Sequence, residues 1–287
     1  MIVFGWIGLL LAGLAVSLYA STRTVRHADA LVRGSRIPPF FIGVTLLAVG
    51  TDLPEIANSI LSCMTDHGDL NAGDSVGSAA TQATLVLGLL PFVGGALAVR
   101  RMRVLVIGVS SVVALGLGAF LMSDGLLSRG DGFVLVLAWL GGSAIIWSQL
   151  SPSEPVDAVP ARGRARHALA VLLFLSIVAV GTGAAVASFV RLSALLGVHE
   201  YVLSFFIASL GTSLPELVVD VAAIRSGLKD MALGDVLGSS FVDATLSIGI
   251  GPLLFPAAVT ANLALFGSAV AAGAIALEHN VVHRLLK

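Results

Sequence analysis

The sequence contains little charge. Only 11% of its 287 residues are Asp, Glu, Lys or Arg, 57% are hydrophobic, and the mean hydropathy is +1.00. Soluble domains carry about 25% charged residues, so a chain this apolar cannot cover its surface in water. In a bilayer the backbone must satisfy its own hydrogen bonds, as helices or as a closed barrel. The long unbroken apolar runs favour helices and predict an all-α protein whose first partner is the lipid bilayer.

Cysteine and net charge are also nearly absent. Cys63 is the only cysteine, which excludes an internal disulfide and a thiolate metal cluster. The formal net charge of −1 argues against a nucleic-acid partner. Neither a Gly-rich phosphate loop after a strand nor a nucleophile–His–acid set is recognisable. We therefore expect no enzymatic activity and no cofactor.

Nine hydrophobic segments approach the roughly 20 apolar residues that a helix needs to cross a bilayer. They lie near residues 2–20, 39–64, 72–98, 103–122, 132–150, 167–190, 201–225, 231–253 and 257–278. The stretch 151–166, SPSEPVDAVPARGRAR, is typical of a linker. It divides a polytopic transmembrane helical bundle into a first membrane repeat of five helices (1–150) and a second repeat (167–287).

Basic residues are distributed unevenly between the loops. If the loops alternate between two sides, 14 Lys and Arg residues fall on one side, and only Arg129 and Arg191 on the other. Such an excess marks the cytoplasmic side of a membrane protein. It predicts a multi-pass protein of the cell membrane, with its amino terminus outside, and its linker and carboxyl terminus in the cytoplasm.

The chain contains an internal repeat. Residues 50–91 align with residues 211–252 at a constant offset of 161 without a gap, and 15 of the 42 positions are identical. The identities include Gly, Thr, Pro, Glu, Asp and Ser, which shared membrane composition does not explain. Because five spans separate the starts of the copies, they cross the membrane in opposite directions. Inverted repeats are a recurrent plan of secondary transporters, with the site near the midplane.

Each copy begins with Gly-Thr-x-Leu-Pro-Glu inside an apolar helix. Proline removes a backbone donor and clashes with the carbonyl four residues earlier, which frees backbone oxygens near Thr51 and Thr212. Glu55 follows Thr51 by four residues and Glu216 follows Thr212 by four, so each pair shares a helix face. In the partner helices the same spacing relates two further pairs, Ser78 with Gln82 and Ser239 with Asp243. We expect each half to surround a point with oxygen atoms, the ligands of hard cations.

Carboxylates are concentrated in the motif helices. They are Asp52, Glu55, Asp74, Glu216, Asp235 and Asp243. An ionised side chain at the bilayer centre costs about 2.5–3.5 kcal/mol or more, and no Lys or Arg lies near them in the sequence, so bound cations or protons must neutralise them. Asp74 and Asp235 are candidate ion or proton ligands, with helix capping as an equal alternative. Asp220, one turn beyond Glu216, is a candidate for an access path.

These motifs resemble those of the calcium/cation antiporter superfamily, which includes the sodium/calcium exchangers. Its two inverted repeats carry GTSLPE and then GN-x-x-GSN-x-x-N/D; here the segments are 50–55 with 73–82 and 211–216 with 234–243. The resemblance implies that the two Glu share a divalent ion, that Na⁺ uses the same cluster in turn, and that the first and sixth helices slide against the rest. The ion-site residues that it implies are Thr51, Glu55, Ser78, Thr212, Ser213, Glu216, Ser239 and Asp243.

The sequence departs from the pattern of that superfamily in several places. Asp52 replaces the usual Ser of the first copy, Gln82 stands at the Asn/Asp position, and Asp74 and Asp235 replace Asn. Asp52 and Gln82 therefore join the candidate ligands. The superfamily usually has ten helices, whereas residues 279–287 are too short and too polar to form a tenth span; either this branch has nine helices or the chain is truncated.

The sequence predicts a secondary antiporter that exchanges Ca²⁺, or a similar divalent cation, for Na⁺. Its extra carboxylates keep open the alternative that H⁺ is the coupling ion. A cation channel would need a filter-like segment along a continuous path, which is not recognisable. A membrane scaffold or sensor would not explain the repeated acids. The transported ion, the coupling ion and the oligomeric state are left open.

Overall fold

The protein is a bundle of helices. A computed structural model describes residues 2–32, 38–95, 101–148, 163–193 and 200–285. The helices are α1 Ile2–Val32, α2 Pro39–Thr51, α3 Leu53–Met64, α4 Gly68–Gly94, α5 Arg101–Leu121, α6 Arg129–Ser148, α7 Arg164–Ser193, α8 200–212, α9 Leu214–Arg225, α10 Lys229–Leu254 and α11 Ala261–Leu285. Each of the nine predicted spans overlaps helices of these described residues. By length and composition five described segments qualify to cross a membrane, one of which, Ser204–Arg225, combines parts of α8 and α9; a sixth is added if α2 and α3 form one bent span.

Helix α1 is longer than predicted, because it continues from the apolar segment 2–20 to Val32. Its second half contains basic residues, which end a hydrophobic run in the sequence. The helix nevertheless continues because Ser21, Thr24, Val25 and Ala28 are buried at helical spacing. Hydropathy alone predicts that the span ends near residue 20, but packing of one buried face continues the helix to Val32.

The predicted linker 151–166 lies outside the described residues as far as position 162. Where the description resumes, α7 begins at Arg164, three residues before the predicted start of the sixth span. At the other end, α11 continues to Leu285 rather than ending near residue 278.

The two copies of the repeat have the same secondary structure. Each copy contains the same elements in the same order. A π-helical turn leads into a short α-helix, which is followed by a break and a second helix. After a tight turn comes a further helix that contains a second π-helical turn. In the first copy the π turns are Gly43–Leu47 and Gln82–Val86, and 161 residues later they are Ser204–Ala208 and Asp243–Ser247. Isolated π turns are frequent at functional sites.

The hydrogen bonds between α3 and α4 establish that these helices are antiparallel. The Ser78 hydroxyl donates to Glu55 Oε1 over 3.2 Å, and Asn58 Nδ2 donates to Asp74 Oδ2 over 2.7 Å. A later residue of α3 therefore contacts an earlier residue of α4, as expected for antiparallel helices.

Glycine contacts establish that α4 and α8 are parallel. Gly73 packs against Tyr201, and Gly77 packs against Phe205, where a β-carbon would overlap the backbone carbonyl oxygen. Because α8 runs with α4, and α4 runs against α3, the α8–α9 segment runs opposite to α2–α3. The inverted topology predicted from the repeat is confirmed.

Two short strands, which the sequence did not predict, connect the ends of the halves. β1, Leu126–Leu127, pairs with β2, Ala257–Ala258, in antiparallel register. Nearby, Asp69 accepts hydrogen bonds of 2.6 Å from both the amide and the hydroxyl of Thr260. Asp69 lies in the first turn of α4 and thus holds the segment before α11.

Candidate cation site

Both motif helices are interrupted at the same position. Asp52 separates α2 from α3, and Ser213 separates α8 from α9. Pro54 and Pro215 follow each break and offer no N–H to the carbonyl four residues earlier. In the first copy the two helices meet at an angle of 42°.

The break determines where the motif side chains lie. Thr51 and Thr212 are the last residues of α2 and α8, while Glu55 and Glu216 lie in the first turns of α3 and α9. The amino-terminal end of a helix carries a partial positive charge, which favours a nearby carboxylate.

All candidate site residues are buried. They are Thr51, Asp52, Glu55, Asp74, Ser78, Gln82, Thr212, Ser213, Glu216, Asp235, Ser239 and Asp243. Such burial of six carboxyl side chains in one bundle has no counterpart in an ordinary apolar core, where charged groups are rarely buried unless they are paired.

Four of these carboxyl groups form a central cluster: Asp52, Glu55, Glu216 and Asp243. One oxygen from each of Asp52, Glu55 and Asp243 can be chosen so that the three lie within 4.8 Å of one another. The Glu216 carboxyl group lies close to that of Asp52. The cluster thus combines two acids of the first copy with two of the second.

Hydroxyl groups link the halves around this central cluster. The Ser78 hydroxyl lies 3.1 Å from the Thr212 hydroxyl as well as 3.2 Å from Glu55 Oε1. On the opposite side, the Thr51 hydroxyl lies 3.4 Å from the Ser239 hydroxyl. The expected pairing within a half is present in the contact between Ser78 and Glu55, and contacts between the halves join the two oxygen-lined points into one site.

Most oxygens of the central cluster have no donor in the part of the chain that the structure describes. Both carboxylate oxygens of Asp52, Glu216 and Asp243 are unpartnered, as is Glu55 Oε2. The fully buried amide of Gln82 lies beside Asp243, and the Ser213 hydroxyl is also unpartnered. Leaving a buried polar atom without a partner costs about 1–3 kcal/mol, and more for a charged one. The arrangement therefore calls for a bound cation or for protons.

No basic residue that the structure describes forms an ion pair with the central cluster. Among the described residues, the ion pair formed by Arg103 and Asp230, 3.5 Å apart, involves none of the four acids. Positive charge must come from ions or protons, and with all-oxygen ligands the ions would be hard cations.

Asp74 and Asp235 do not cap their helices. Because α4 begins at Gly68 and α10 at Lys229, each acid lies six residues inside its helix. Asp74 accepts hydrogen bonds from Asn58 Nδ2 (2.7 Å) and from the Thr212 hydroxyl (3.0 Å). The capping alternative is wrong for both acids.

Sequence reasoning did not identify Asn58 as a site residue. It lies three residues after Glu55, hence on a neighbouring face of α3, but the second copy has Val219 at the equivalent position. The repeat comparison draws attention to shared residues and so passes over a partner that only one copy has.

Two inverted helical repeats that enclose unneutralised carboxylates at their crossing define a membrane transporter of cations. Residues 5–147 and 166–281 match the model of the sodium/calcium exchanger protein family, and the chain belongs to that family. The predicted family and the predicted all-α, polytopic membrane fold are confirmed.

Two relatives and one solved structure illustrate the match. The chain is 31% identical to inner membrane protein YrbG of Escherichia coli (strain K12), over 86% of this chain and 79% of that protein. It is 26% identical to sodium/calcium exchanger MaX1 of Methanosarcina acetivorans, over 90% of this chain and 85% of that protein. Its fold is similar to that of the sodium-calcium exchanger NCX_Mj soaked with 10 mM Na⁺ and zero Ca²⁺, with a TM-score of 0.78, 26% identity, and coverage of 98% of this chain and 92% of that chain.

Proposed function

We propose that this chain is a secondary antiporter that exchanges Ca²⁺, or a similar divalent cation, for Na⁺ by alternating access. The observation that carries the proposal is the central cluster: among the described residues, its four buried acids have no basic partner and one donor, the Ser78 hydroxyl on Glu55 Oε1. Membership of the sodium/calcium exchanger family supports the same pair of ions.

The ligand types favour a hard cation. Carboxylate, hydroxyl and amide oxygens surround the central cluster, and Ca²⁺ takes 6–8 such oxygens in flexible geometry. Na⁺ is also a hard cation, so the same oxygens would suit it in turn. Two ions that compete for one set of ligands are exchanged rather than carried together.

The burial of the central cluster favours an exchanger over a channel. Asp52, Glu55, Glu216 and Asp243 are all completely buried, so an ion cannot leave without movement of the protein. A channel needs a continuous path with binding weak enough for release.

Helices α1 and α7 are the elements that we expect to slide. They pack against each other along a shared apolar groove, lined by residues such as Val16 and Ile177. From α7, the Leu175 side chain packs directly against Gly50, next to the break at Asp52, where a β-carbon would overlap it. Movement of α7 would therefore act directly on the helix end that presents Thr51.

A second candidate is exchange of the divalent cation for H⁺. It is favoured by the proximity of the buried Asp52 and Glu216 carboxyl groups, because two adjacent buried acids require a proton or a cation to neutralise them. Asp52, which the superfamily pattern lacks, thus joins Glu55, Glu216 and Asp243 as a fourth acid, and it is able to carry a proton.

The coupling ion is tested by ⁴⁵Ca²⁺ uptake into proteoliposomes, with the membrane potential clamped. We expect an outward Na⁺ gradient to drive uptake well above that of protein-free liposomes, and an imposed pH gradient of equal driving force to drive much less. Uptake driven only by the pH gradient would show that the coupling ion is H⁺ and not Na⁺. Uptake under neither gradient would contradict Ca²⁺ as the substrate.

We also propose that the amino terminus faces outside and that the linker 151–166, between the repeats 1–150 and 167–287, is cytoplasmic. The excess of basic residues on that side supports this orientation. In a Cys63→Ser background, a membrane-impermeant thiol reagent should label Ser123→Cys in intact cells but label Ser153→Cys only after lysis. The opposite pattern would invert the topology.

A further inference from the structure

A second group of acids lies one helical turn from the central cluster. Asp220 follows Glu216 by four residues on α9, and Asp235 precedes Ser239 by four on α10. Both side chains are completely buried, and their carboxyl groups lie beside each other where α9 packs against α10. We call Asp220 and Asp235 the acid pair.

The acid pair has almost no donors in the part of the chain that the structure describes. Both oxygens of Asp220 and Oδ2 of Asp235 are unpartnered. The remaining oxygen, Asp235 Oδ1, lies 3.5 Å from the Thr51 hydroxyl, at the limit of a hydrogen bond. Two adjacent buried carboxylates without donors have no stable arrangement unless a cation or a proton neutralises them.

The other copy of the repeat shows how this fold neutralises the equivalent acid. Asp74 occupies the position of Asp235 and receives the Asn58 amide and the Thr212 hydroxyl, at 2.7 and 3.0 Å. In the second copy, Val219 replaces the amide donor, and Asp220 stands where the first copy has Ser59. The second copy has thus lost a donor and gained an acid.

We propose that the acid pair is a further binding site for a divalent cation such as Ca²⁺, separate from the central cluster and present in one half only. Two carboxylates offer four oxygens and two negative charges, which balance a divalent ion, and the Thr51 hydroxyl connects them to the central cluster. Water would complete the 6–8 ligands that Ca²⁺ takes. The inference rests on the proposed function, because it assigns this site a place on the path of the transported ion.

The position of the acid pair indicates its role. Asp220 lies five residues before the end of α9 at Arg225, and Asp235 six residues after the start of α10 at Lys229. At about 1.5 Å per residue, the acid pair is about 8 Å from these helix ends. It therefore holds an ion between the central cluster and the basic end of the bundle.

The test is equilibrium binding of ⁴⁵Ca²⁺ to the purified full chain in detergent. The background is Glu55→Gln/Glu216→Gln, which removes both Glu of the central cluster. Asp220→Asn is then added, and the matched control is Asp230→Asn, which removes a carboxylate near the same end of the bundle, where it pairs with Arg103.

We expect the background protein to bind Ca²⁺, Asp220→Asn to weaken that binding at least about tenfold, and Asp230→Asn to leave it unchanged. Asp220→Glu, which keeps the charge, should retain binding within a few-fold. Absence of binding to the background protein, or equal binding with Asp220→Asn, would overturn the proposal. If Asp220→Asn does not elute as folded protein, Asp235→Asn gives the same comparison.

Failure of this site and failure of the proposed function are distinguishable. Should the unmodified chain transport no Ca²⁺ under any gradient while the binding differences hold, the acid pair stands and the exchanger proposal falls. Should transport proceed while Asp220→Asn binds normally, the acid pair falls alone.

Discussion

Glu216→Gln and Glu55→Gln should each lower the initial rate of Ca²⁺ exchange by about a hundredfold or more. Each substitution keeps the shape of the side chain but replaces a charged ligand at the centre of the cluster by a neutral one. The effect should exceed the roughly 10–100-fold that loss of a partner behind a metal ligand costs. The measurement is the initial rate of ⁴⁵Ca²⁺ uptake into proteoliposomes that contain equal amounts of protein.

Asp230→Asn serves as the control for these variants. Asp230 carries a carboxylate on α10 but lies at its exposed end, 3.5 Å from Arg103, outside the central cluster. Its loss should leave the uptake rate within about twofold, because exposed ion pairs contribute little. Near-normal uptake by either Gln variant would show that the two Glu do not hold the transported ion.

Asp52→Asn should raise the Ca²⁺ concentration for half-maximal uptake by about tenfold, consistent with loss of one charged oxygen from the metal's surroundings. The reason is local, because an oxygen of Asp52 lies within 4.8 Å of oxygens of both Glu55 and Asp243. The maximal rate should change less, since both Glu remain. The measurement is the dependence of ⁴⁵Ca²⁺ uptake on Ca²⁺ concentration under a fixed Na⁺ gradient.

Ser213→Ala provides the matched comparison for Asp52, because Ser213 occupies the same break in the second copy. It removes a neutral oxygen rather than a charged one, and hydrogen bonds to charged groups are roughly twice as strong as neutral ones. We therefore expect a clearly smaller change than in Asp52→Asn. An equal effect of the two substitutions would mean that Asp52 acts through the shape of the break and not through its charge.

The fold was predictable to the extent that hydropathy and the repeat determine it. The gap-free offset of 161 makes Gln82 and Asp243 equivalent positions. The structure agrees, because each of them begins a π turn. The alternation of basic loops depends on a count of nine spans, each of which overlaps a described helix. Helix ends were less predictable, since α1 continues past its apolar run through packing of Val25 and Ala28.

The candidate site was predictable in its residue types but not in its arrangement. The sequence identified Glu55 and Ser78 as neighbours, because both belong to one motif. It did not predict that Ser78 also reaches Thr212 of the other copy, because that contact depends on glycines such as Gly77, which let α4 approach α8 closely. Local spacing describes one helix face, whereas the central cluster arises from packing between helices far apart in sequence.

The asymmetry between the copies carries the most specific information. At equivalent positions of the two copies, Asp52 corresponds to Ser213, Gln82 to Asp243, and Ser59 to Asp220. Asp52 and Asp243 lie in the central cluster, whereas Asp220 lies outside it, toward the end of α9 at Arg225.

The most direct test of antiport is ⁴⁵Ca²⁺ counterflow in proteoliposomes without any Na⁺ or pH gradient. If the central cluster must be occupied to change its access, vesicles loaded with unlabelled Ca²⁺ will take up tracer much faster than vesicles without internal Ca²⁺. The Glu55→Gln/Glu216→Gln protein will show no such acceleration. Tracer uptake that is independent of internal Ca²⁺, and equally fast in that double variant, would contradict exchange through the central cluster.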